Sequence, residues 1–180
     1  MILYTLLQRY HSKGLDLVQH QLYSPEKNLY AHHHRSERYK NDTYFHIHLP
    51  FFGSWFVSQA HEGKITHKGE WRFAFDFVVT DETQKTFQSP GETVKDFYCY
   101  GLPVLAPAAG YVVNIADGVE DNEIGGINTF ENWGNAIVIK HADFLYSKIA
   151  HIKDASFKVK IGDYVKKGDV LASCGNSGRS

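Results

Sequence analysis

The fold is decided by one stretch of the chain, Trp71-Arg72-Phe73-Ala74-Phe75-Asp76-Phe77-Val78-Val79. Aromatic and β-branched residues favour strands, and successive side chains of a strand point to opposite faces. One face is therefore aromatic and is expected to pack into a core; it comprises Trp71, Phe73, Phe75 and Phe77. Asp76 lies on the other face, beside the small Ala74. A buried acid costs free energy unless a partner pairs with it, and Ala74 leaves room for that partner.

Short strands separated by turn residues are predicted along the rest of the chain. An alternating run at residues 44–49 predicts a strand that Pro50 ends, and residues 53–59 read as the entry to another. Further strands are expected within residues 103–107, 109–115, 135–141, 144–152 and 159–172. No segment of useful length after Tyr44 has helical periodicity. The sequence therefore predicts an all-β domain over residues 46–180, preceded by an irregular N-terminal extension, residues 1–45.

Composition narrows the function classes. The net charge is −1, which gives no reason to expect nucleic acid as a partner. No stretch approaches the roughly 18 apolar residues of a transmembrane segment, and no signal sequence is visible at the N-terminus. The chain has 11 histidines, a weak indication of metal chemistry. Its two cysteines, Cys99 and Cys174, form no metal-binding motif, and we expect two buried thiols rather than a disulfide.

Six segments then follow one another in a recognisable order. They are His67 through Asp76, Pro103–Gly110, Trp133–His141, Tyr146–Ile152, Val159–Leu171 and Gly175–Ser180. In this order they resemble the motifs of the lysostaphin and LytM-like zinc endopeptidases, and the resemblance covers roughly residues 50–180. It implies an antiparallel β-sheet sandwich or half-barrel of the duplicated hybrid-motif type. It also implies a metallopeptidase that hydrolyses peptide cross-links of bacterial peptidoglycan, in the periplasm or outside the cell.

The resemblance assigns roles to three residues. His67 and Asp76 are expected to be metal ligands for Zn²⁺, and His151 a catalytic residue that acts as general base or hydrogen-bond donor. The spacing between His67 and Asp76 is longer than in the usual motif, so His67 is expected to fold back toward Asp76 from a loop. A catalytic zinc usually has three protein ligands. In the family the third comes from a His-x-His strand, which is expected just after Ser180, so the chain as given is expected to be inactive.

Each of these residues also has a purely structural alternative. Asp76 could be paired with Arg72 or a backbone amide, and His151 could be a satisfied strand-end histidine. His141 is expected to be structural. His46 and His48 point the same way if residues 44–49 form a strand, and beside Asp76 they could complete the metal site. That arrangement needs an altered strand order and is disfavoured.

Two other functions compete with the peptidase. The first is a non-catalytic LytM-like binding or regulatory module that has lost its zinc; the retained His67, Asp76 and His151 argue against it. The second is a carrier module of the biotinyl or lipoyl type, because residues 159–172 resemble half of such a domain. Lys166 and Lys167 do not stand in the context of a modified lysine, so the carrier alternative is weak.

Overall fold

A computed structural model describes residues 3–8, 46–68, 73–142 and 145–180. These residues contain nine β-strands and one helical segment, a single 3₁₀ turn at Val94–Asp96. The strands are β1 (Leu3–Gln8), β2 (Phe56–Gln59), β3 (Ala74–Val78), β4 (Pro103–Leu105), β5 (Gly110–Ala116), β6 (Asn135–Ala142), β7 (Leu145–Ile152), β8 (Tyr164–Val165) and β9 (Val170–Ser173). The predicted all-β class is confirmed.

Seven of these strands form one sheet in the order β2-β3-β1-β7-β6-β5-β8, and β4 pairs with β9 in a two-stranded sheet. All of the pairings are antiparallel. Strand β1 lies between β3 and β7, and Tyr4 is paired with Asp76 on one side and with Ala150 on the other. The antiparallel arrangement agrees with the predicted fold class.

The two faces of the large sheet carry different residues. One face packs into the main hydrophobic core, where β-branched and aromatic side chains from β3, β5, β6 and β7 meet β4 and β9; this core includes Phe77, Val104, Val112, Ile137, Ile139, Ile149, Ile152 and Leu171. On the other face Ala74, Ala136 and Ala150 form a small cluster against Trp133. Asp76 follows Ala74 on this second face because residues two apart on a strand point the same way.

The strand β3 agrees with the prediction for its central residues. Phe77 is buried and Phe75 packs against the same core, whereas Ala74 and Asp76 are buried on the opposite face. Phe73 was expected in the core and that expectation is wrong, because Phe73 precedes the first residue of β3 and is 40% exposed. Trp71 lies outside the described residues.

The strand predicted at residues 44–49 is also wrong over its described part, residues 46–49. The backbone amide of His48 donates to the carbonyl oxygen of Pro107, and the amide of Leu105 donates to the carbonyl oxygen of Pro50. The segment is thus tied to the last residue of β4 and to Pro107 just beyond it, and it does not join a sheet.

The predicted division at residue 45 stays a prediction. Residues 3–8 form β1 within the large sheet, and residues 9–45 lie outside the described part of the chain. Cys99 and Cys174 are both buried and are not joined by a disulfide, as expected.

Two loops meet at a close backbone contact between Gly134 and Ser177. A Cβ atom added at Gly134 would lie 2.4 Å from the carbonyl carbon of Ser177 and 2.5 Å from its oxygen, and the φ of Gly134 is +56°. The side-chain amide of Asn122 fixes the same junction by donating to the carbonyl oxygens of Asn176 and Gly178. Only glycine at position 134 allows the residue 175–179 turn to sit against the start of β6.

We expect Gly134→Ala to lower the free energy of unfolding by about 3 kcal/mol, because it combines left-handed strain with a backbone overlap. Gly101→Ala is the matched control, since Gly101 has a φ of +79° and open space around it. Strain alone should cost the control about 1 kcal/mol. Urea unfolding of both variants measures the difference, and equal destabilisation would contradict the close contact.

Candidate active site

The loop between β2 and β3 brings His67 to Asp76. The His67 Nε2 atom lies 3.1 Å from Asp76 Oδ1, and both residues are buried, with 0% and 6% of their surface exposed. The folding back that the sequence suggested is therefore present. Arg72, the alternative partner considered for Asp76, lies outside the described residues.

The tautomer of a neutral His67 ring follows from its other ring nitrogen. The Nδ1 atom lies 2.7 Å from the backbone carbonyl oxygen of Ala60. A carbonyl oxygen only accepts hydrogen bonds, so Nδ1 carries the proton. In the neutral ring the lone pair is then on Nε2, which faces a carboxylate oxygen. Two acceptors this close, away from water, repel each other unless they share a proton or a cation.

The spacing of the two atoms suits a shared zinc ion. Zinc binds histidine nitrogen and carboxylate oxygen at about 2.0–2.2 Å with tetrahedral geometry, which places two ligand atoms roughly 3.4 Å apart. The observed 3.1 Å separation is close to that value. Nitrogen and carboxylate oxygen donors are also the types found in catalytic zinc sites. The pair therefore fits two of the ligands of a zinc ion.

The electrostatic environment of Asp76 is mixed. Burial raises the pKa of the carboxyl group above its ordinary value, and the neighbouring His67 and a hydrogen bond from Gln59 partly oppose that rise. A cation shared with His67 would favour the ionised form further. The ionised form of Asp76 is therefore unfavourable at this buried position unless positive charge lies beside it.

His151 occupies a bulge in β7. Asn135 is paired with Ile152 and Ile137 with Ile149, so two residue steps on β6 face three on β7. The extra residue lies in the segment Ala150–His151, and His151 has a φ of +59°. Positive φ is unusual for a residue with a side chain and costs roughly 1–2 kcal/mol. Bulges of this kind redirect a side chain and are common beside active sites.

The turn at residues 175–178 holds the His151 ring. His151 Nδ1 lies 2.8 Å from the carbonyl oxygen of Ser177, so Nδ1 is the protonated nitrogen. The backbone of Ser177 is itself fixed, because its hydroxyl donates to the Ile152 carbonyl oxygen and accepts the Asn135 amide. The segment Gly175–Ser180 thus positions a histidine, which gives this sequence motif a structural role.

His151 is neutral near pH 7. Burial lowers its pKa from 6.5 to about 4, and the hydrogen bond to Ser177 opposes the shift only in part. With Nδ1 protonated, Nε2 is the basic nitrogen of the ring. The Nε2 lone pair of this neutral imidazole can accept a hydrogen bond or a proton, but a pKa of about 4 makes it a weak base at pH 7.

His151 and Asp76 lie two strands apart in the same sheet. Asp76, Tyr4 and Ala150 are paired in one cross-strand row, and His151 follows Ala150. Adjacent strands are about 4.8 Å apart, which puts the backbones of Asp76 and Ala150 on the order of 10 Å from each other. His67 and Asp76 are thus in direct contact, whereas His151 lies two strands away on β7.

The other histidines considered do not join this group. His48 is exposed, and its Nε2 atom lies 3.1 Å from Lys167 Nζ. The neighbours of β3 are β2 and β1, so His46 and His48 do not complete the site. His141 contacts the Ala109 carbonyl oxygen and the Ser147 hydroxyl through its two ring nitrogens. Across residues 46–68, 73–142 and 145–180, no group of three His, Cys, Asp or Glu residues could hold a metal.

Sequence reasoning missed Gln59 and Lys148. Gln59 Nε2 donates to Asp76 Oδ2 over 3.1 Å, although a glutamine at a strand end carries no sequence signal. Lys148 Nζ lies 3.6 Å from the centre of the Trp133 ring, and burial lowers its pKa from 10.5 to about 7. Lys148 is paired with Leu6, two rows from the pair of Tyr4 and Ala150. The alternation of β7 places Lys148 on the Ala150 side, but only the register shows that this side also carries Asp76.

Comparison with known proteins shows which family part of the sequence resembles. Residues 92–180, just under half of the chain, match the model of peptidase family M23. The match contains His151 and the Gly175–Ser180 turn, whereas His67 and Asp76 lie before it. It also contains residues 159–172, on which the carrier-module alternative was based. No curated protein matches the sequence significantly.

Two solved structures resemble the chain at low sequence identity. One is the catalytic domain of the prophage-encoded M23 protein EnpA from Enterococcus faecalis, in an A109H mutant, with 21% identity, a TM-score of 0.46, and coverage of 72% of this chain and 76% of that one. The other is a protein from Pseudomonas aeruginosa assigned to peptidase M23, with 19% identity and a TM-score of 0.42. That alignment covers 94% of this chain but only 53% of the other, so the chain spans about half of that protein.

The match of residues 92–180 to the model of peptidase family M23 confirms the resemblance to the lysostaphin and LytM-like enzymes.

The pKa of His151 predicts a pH-dependent stability. The unfolded chain takes up a proton on this residue below about pH 6.5, whereas the folded protein does so only near pH 4. The contribution is therefore fully present above pH 6.5 and is lost as the pH falls toward 4. Between pH 7.5 and 4.5 it amounts to about 2.5 kcal/mol.

The variant His151→Asn tests this contribution, because asparagine tolerates positive φ and can still donate to the Ser177 carbonyl oxygen. Urea unfolding at the two pH values should show a smaller pH dependence in the variant than in the wild type, by about 2.5 kcal/mol. An identical pH dependence would mean that His151 is not buried in its neutral form.

Proposed function

We propose that this chain carries a zinc-dependent endopeptidase domain that hydrolyses peptide cross-links in bacterial peptidoglycan. The observation that supports the proposal most directly is the 3.1 Å approach of His67 Nε2 to Asp76 Oδ1 in a buried site. Membership of residues 92–180 in peptidase family M23 supports the reaction class. The metal pair lies outside the matched segment, so its assignment depends on geometry and donor chemistry.

The three site residues would have separate roles in this reaction. His67 and Asp76 would hold the metal, with a third ligand from outside the described residues. Zinc there supplies Lewis acidity that polarises a scissile carbonyl group and lowers the pKa of water. His151 would accept the proton of the attacking water through Nε2, while its Nδ1–H group stays on the Ser177 carbonyl oxygen. The neutral state of His151 near pH 7 suits that role.

The location of the proposed substrate indicates where the domain acts. Peptidoglycan lies outside the cytoplasmic membrane, so we infer that the domain works in the cell envelope or outside the cell. Within the described residues, no helix is long and apolar enough to cross a membrane.

A non-catalytic module of the same family is the second candidate. It is favoured by one observation, that two metal donors and not three come together in the described part of the chain. Two ligands hold zinc less tightly than three, so zinc binding by this chain is expected to be weak. We therefore expect no hydrolysis without added zinc.

With added zinc, we expect release of new amino groups from purified peptidoglycan to depend on all three site residues. His67→Ala and Asp76→Ala should lower both zinc affinity and the hydrolysis rate more than tenfold, because each removes a ligand. His151→Asn should keep zinc affinity and lose at least a hundredfold in rate. His61→Ala is the control, since His61 is an exposed histidine of the same loop.

The outcomes separate the candidates. Hydrolysis that survives His67→Ala or Asp76→Ala would contradict the metal site. Zinc binding and peptidoglycan binding without hydrolysis, at saturating zinc, would favour the non-catalytic module.

A further inference from the structure

We infer that Gln59 is the positioning residue of the candidate zinc site: its amide group ties the loop that carries His67 to the carboxylate of Asp76. The inference deepens the proposed function and rests on it. It starts from the end of β2, where Gln59 is paired with Asp76. No family motif quoted from the sequence includes this residue.

A bulge in β2 places Gln59 there. Val57 is paired with Phe77, and the next pair along β3 is Asp76 with Gln59, so Ser58 is the extra residue. Without the bulge Ser58 would stand opposite Asp76. The Ser58 hydroxyl instead donates to the backbone carbonyl oxygen of Asp76 over 3.3 Å. The extra residue therefore puts a longer amide side chain beside the carboxylate.

Every hydrogen-bonding position of the Gln59 amide is used. Its Oε1 atom accepts the backbone amides of Ile65 and Thr66 at 3.0 and 3.2 Å. Its Nε2 atom donates to Thr66 Oγ1 at 2.6 Å and to Asp76 Oδ2 at 3.1 Å. Backbone amides only donate and a carboxylate only accepts, so the orientation of the amide group is fixed by its partners.

These contacts bear on both atoms of the candidate metal pair. Because Gln59 holds Oδ2, the other oxygen, Oδ1, is the one that faces His67 Nε2. Gln59 also accepts hydrogen bonds from the backbone amides of residues 65 and 66, which fixes the position of the next residue, His67. The carbonyl oxygen of Ala60, which follows Gln59, fixes the His67 tautomer. One strand end thus orients the ring, the loop and the carboxylate.

Gly63 makes room for this side chain. A Cβ atom at position 63 would lie 2.4 Å from Gln59 Cγ and 2.8 Å from both Cδ and Oε1. Alanine at position 63 would therefore push the amide out of place while leaving every hydrogen-bonding group in the chain. That gives a second way to disturb the same contacts.

The test measures zinc affinity by competition with a chelator, and the absorption spectrum of bound Co²⁺, which reports coordination geometry. We expect Gln59→Met to weaken zinc binding 10- to 100-fold, as loss of an outer hydrogen bond to a ligand typically does. The Co²⁺ spectrum should change as well. Gly63→Ala should also weaken zinc binding. If Gln59→Met does not fold, the zinc affinity of Gly63→Ala tests the positioning role by itself. Gln88→Met is the matched control, because Gln88 is exposed. The zinc affinity of this variant should equal that of the wild type.

Two results would overturn the inference in distinguishable ways. If Gln59→Met and Gly63→Ala bind zinc within twofold of the wild type while His67→Ala does not, Gln59 has only a structural role and the metal site stands. If the wild type itself binds no zinc at millimolar concentration, the proposed function fails and the positioning role fails with it.

Discussion

A buried contact between an imidazole nitrogen and a carboxylate oxygen is the constraint on which the account depends. The backbone carbonyl of Ala60 holds a proton on His67 Nδ1, so in the neutral ring the lone pair is on Nε2, which faces Asp76 Oδ1. Such an arrangement is unfavourable without positive charge between the two atoms. A shared proton would satisfy it, and so would a metal ion. The nearly tetrahedral spacing and the match of residues 92–180 to a peptidase family model favour the metal.

The sheet explains how one small domain can hold such a pair. The core side of the large sheet is filled with branched and aromatic side chains, which fix the register of the strands. The opposite side carries small alanines, and Asp76 lies among them. Two bulges interrupt the pairing: the one at Ser58 in β2 brings Gln59 to Asp76, and the one at residues 150–151 in β7 brings His151 to the Ser177 carbonyl oxygen. Regular pairing supplies the scaffold, and the departures from it supply the site.

Much of this arrangement could be predicted from sequence. The alternation of Ala74, Phe75, Asp76 and Phe77 gave the strand and the two faces, and an acid on the small-residue face indicated a partner. Residues 44–49 alternate equally well yet form no strand over 46–49, because alternation does not say whether a neighbouring strand exists to pair with. Gln59 and the bulge at His151 were not predictable, since both depend on register between strands distant in sequence.

The measurement that tests the central claim most directly is nitrogen NMR of the histidine side chains during a zinc titration. The account predicts that His67 keeps its proton on Nδ1 throughout, and that only its Nε2 resonance shifts toward the metal-bound position. His151 and the exposed His61 should keep their resonances, and Asp76→Asn should weaken the His67 response. A His67 ring that carries its proton on Nε2, or that ignores zinc at saturating concentration, would contradict the account.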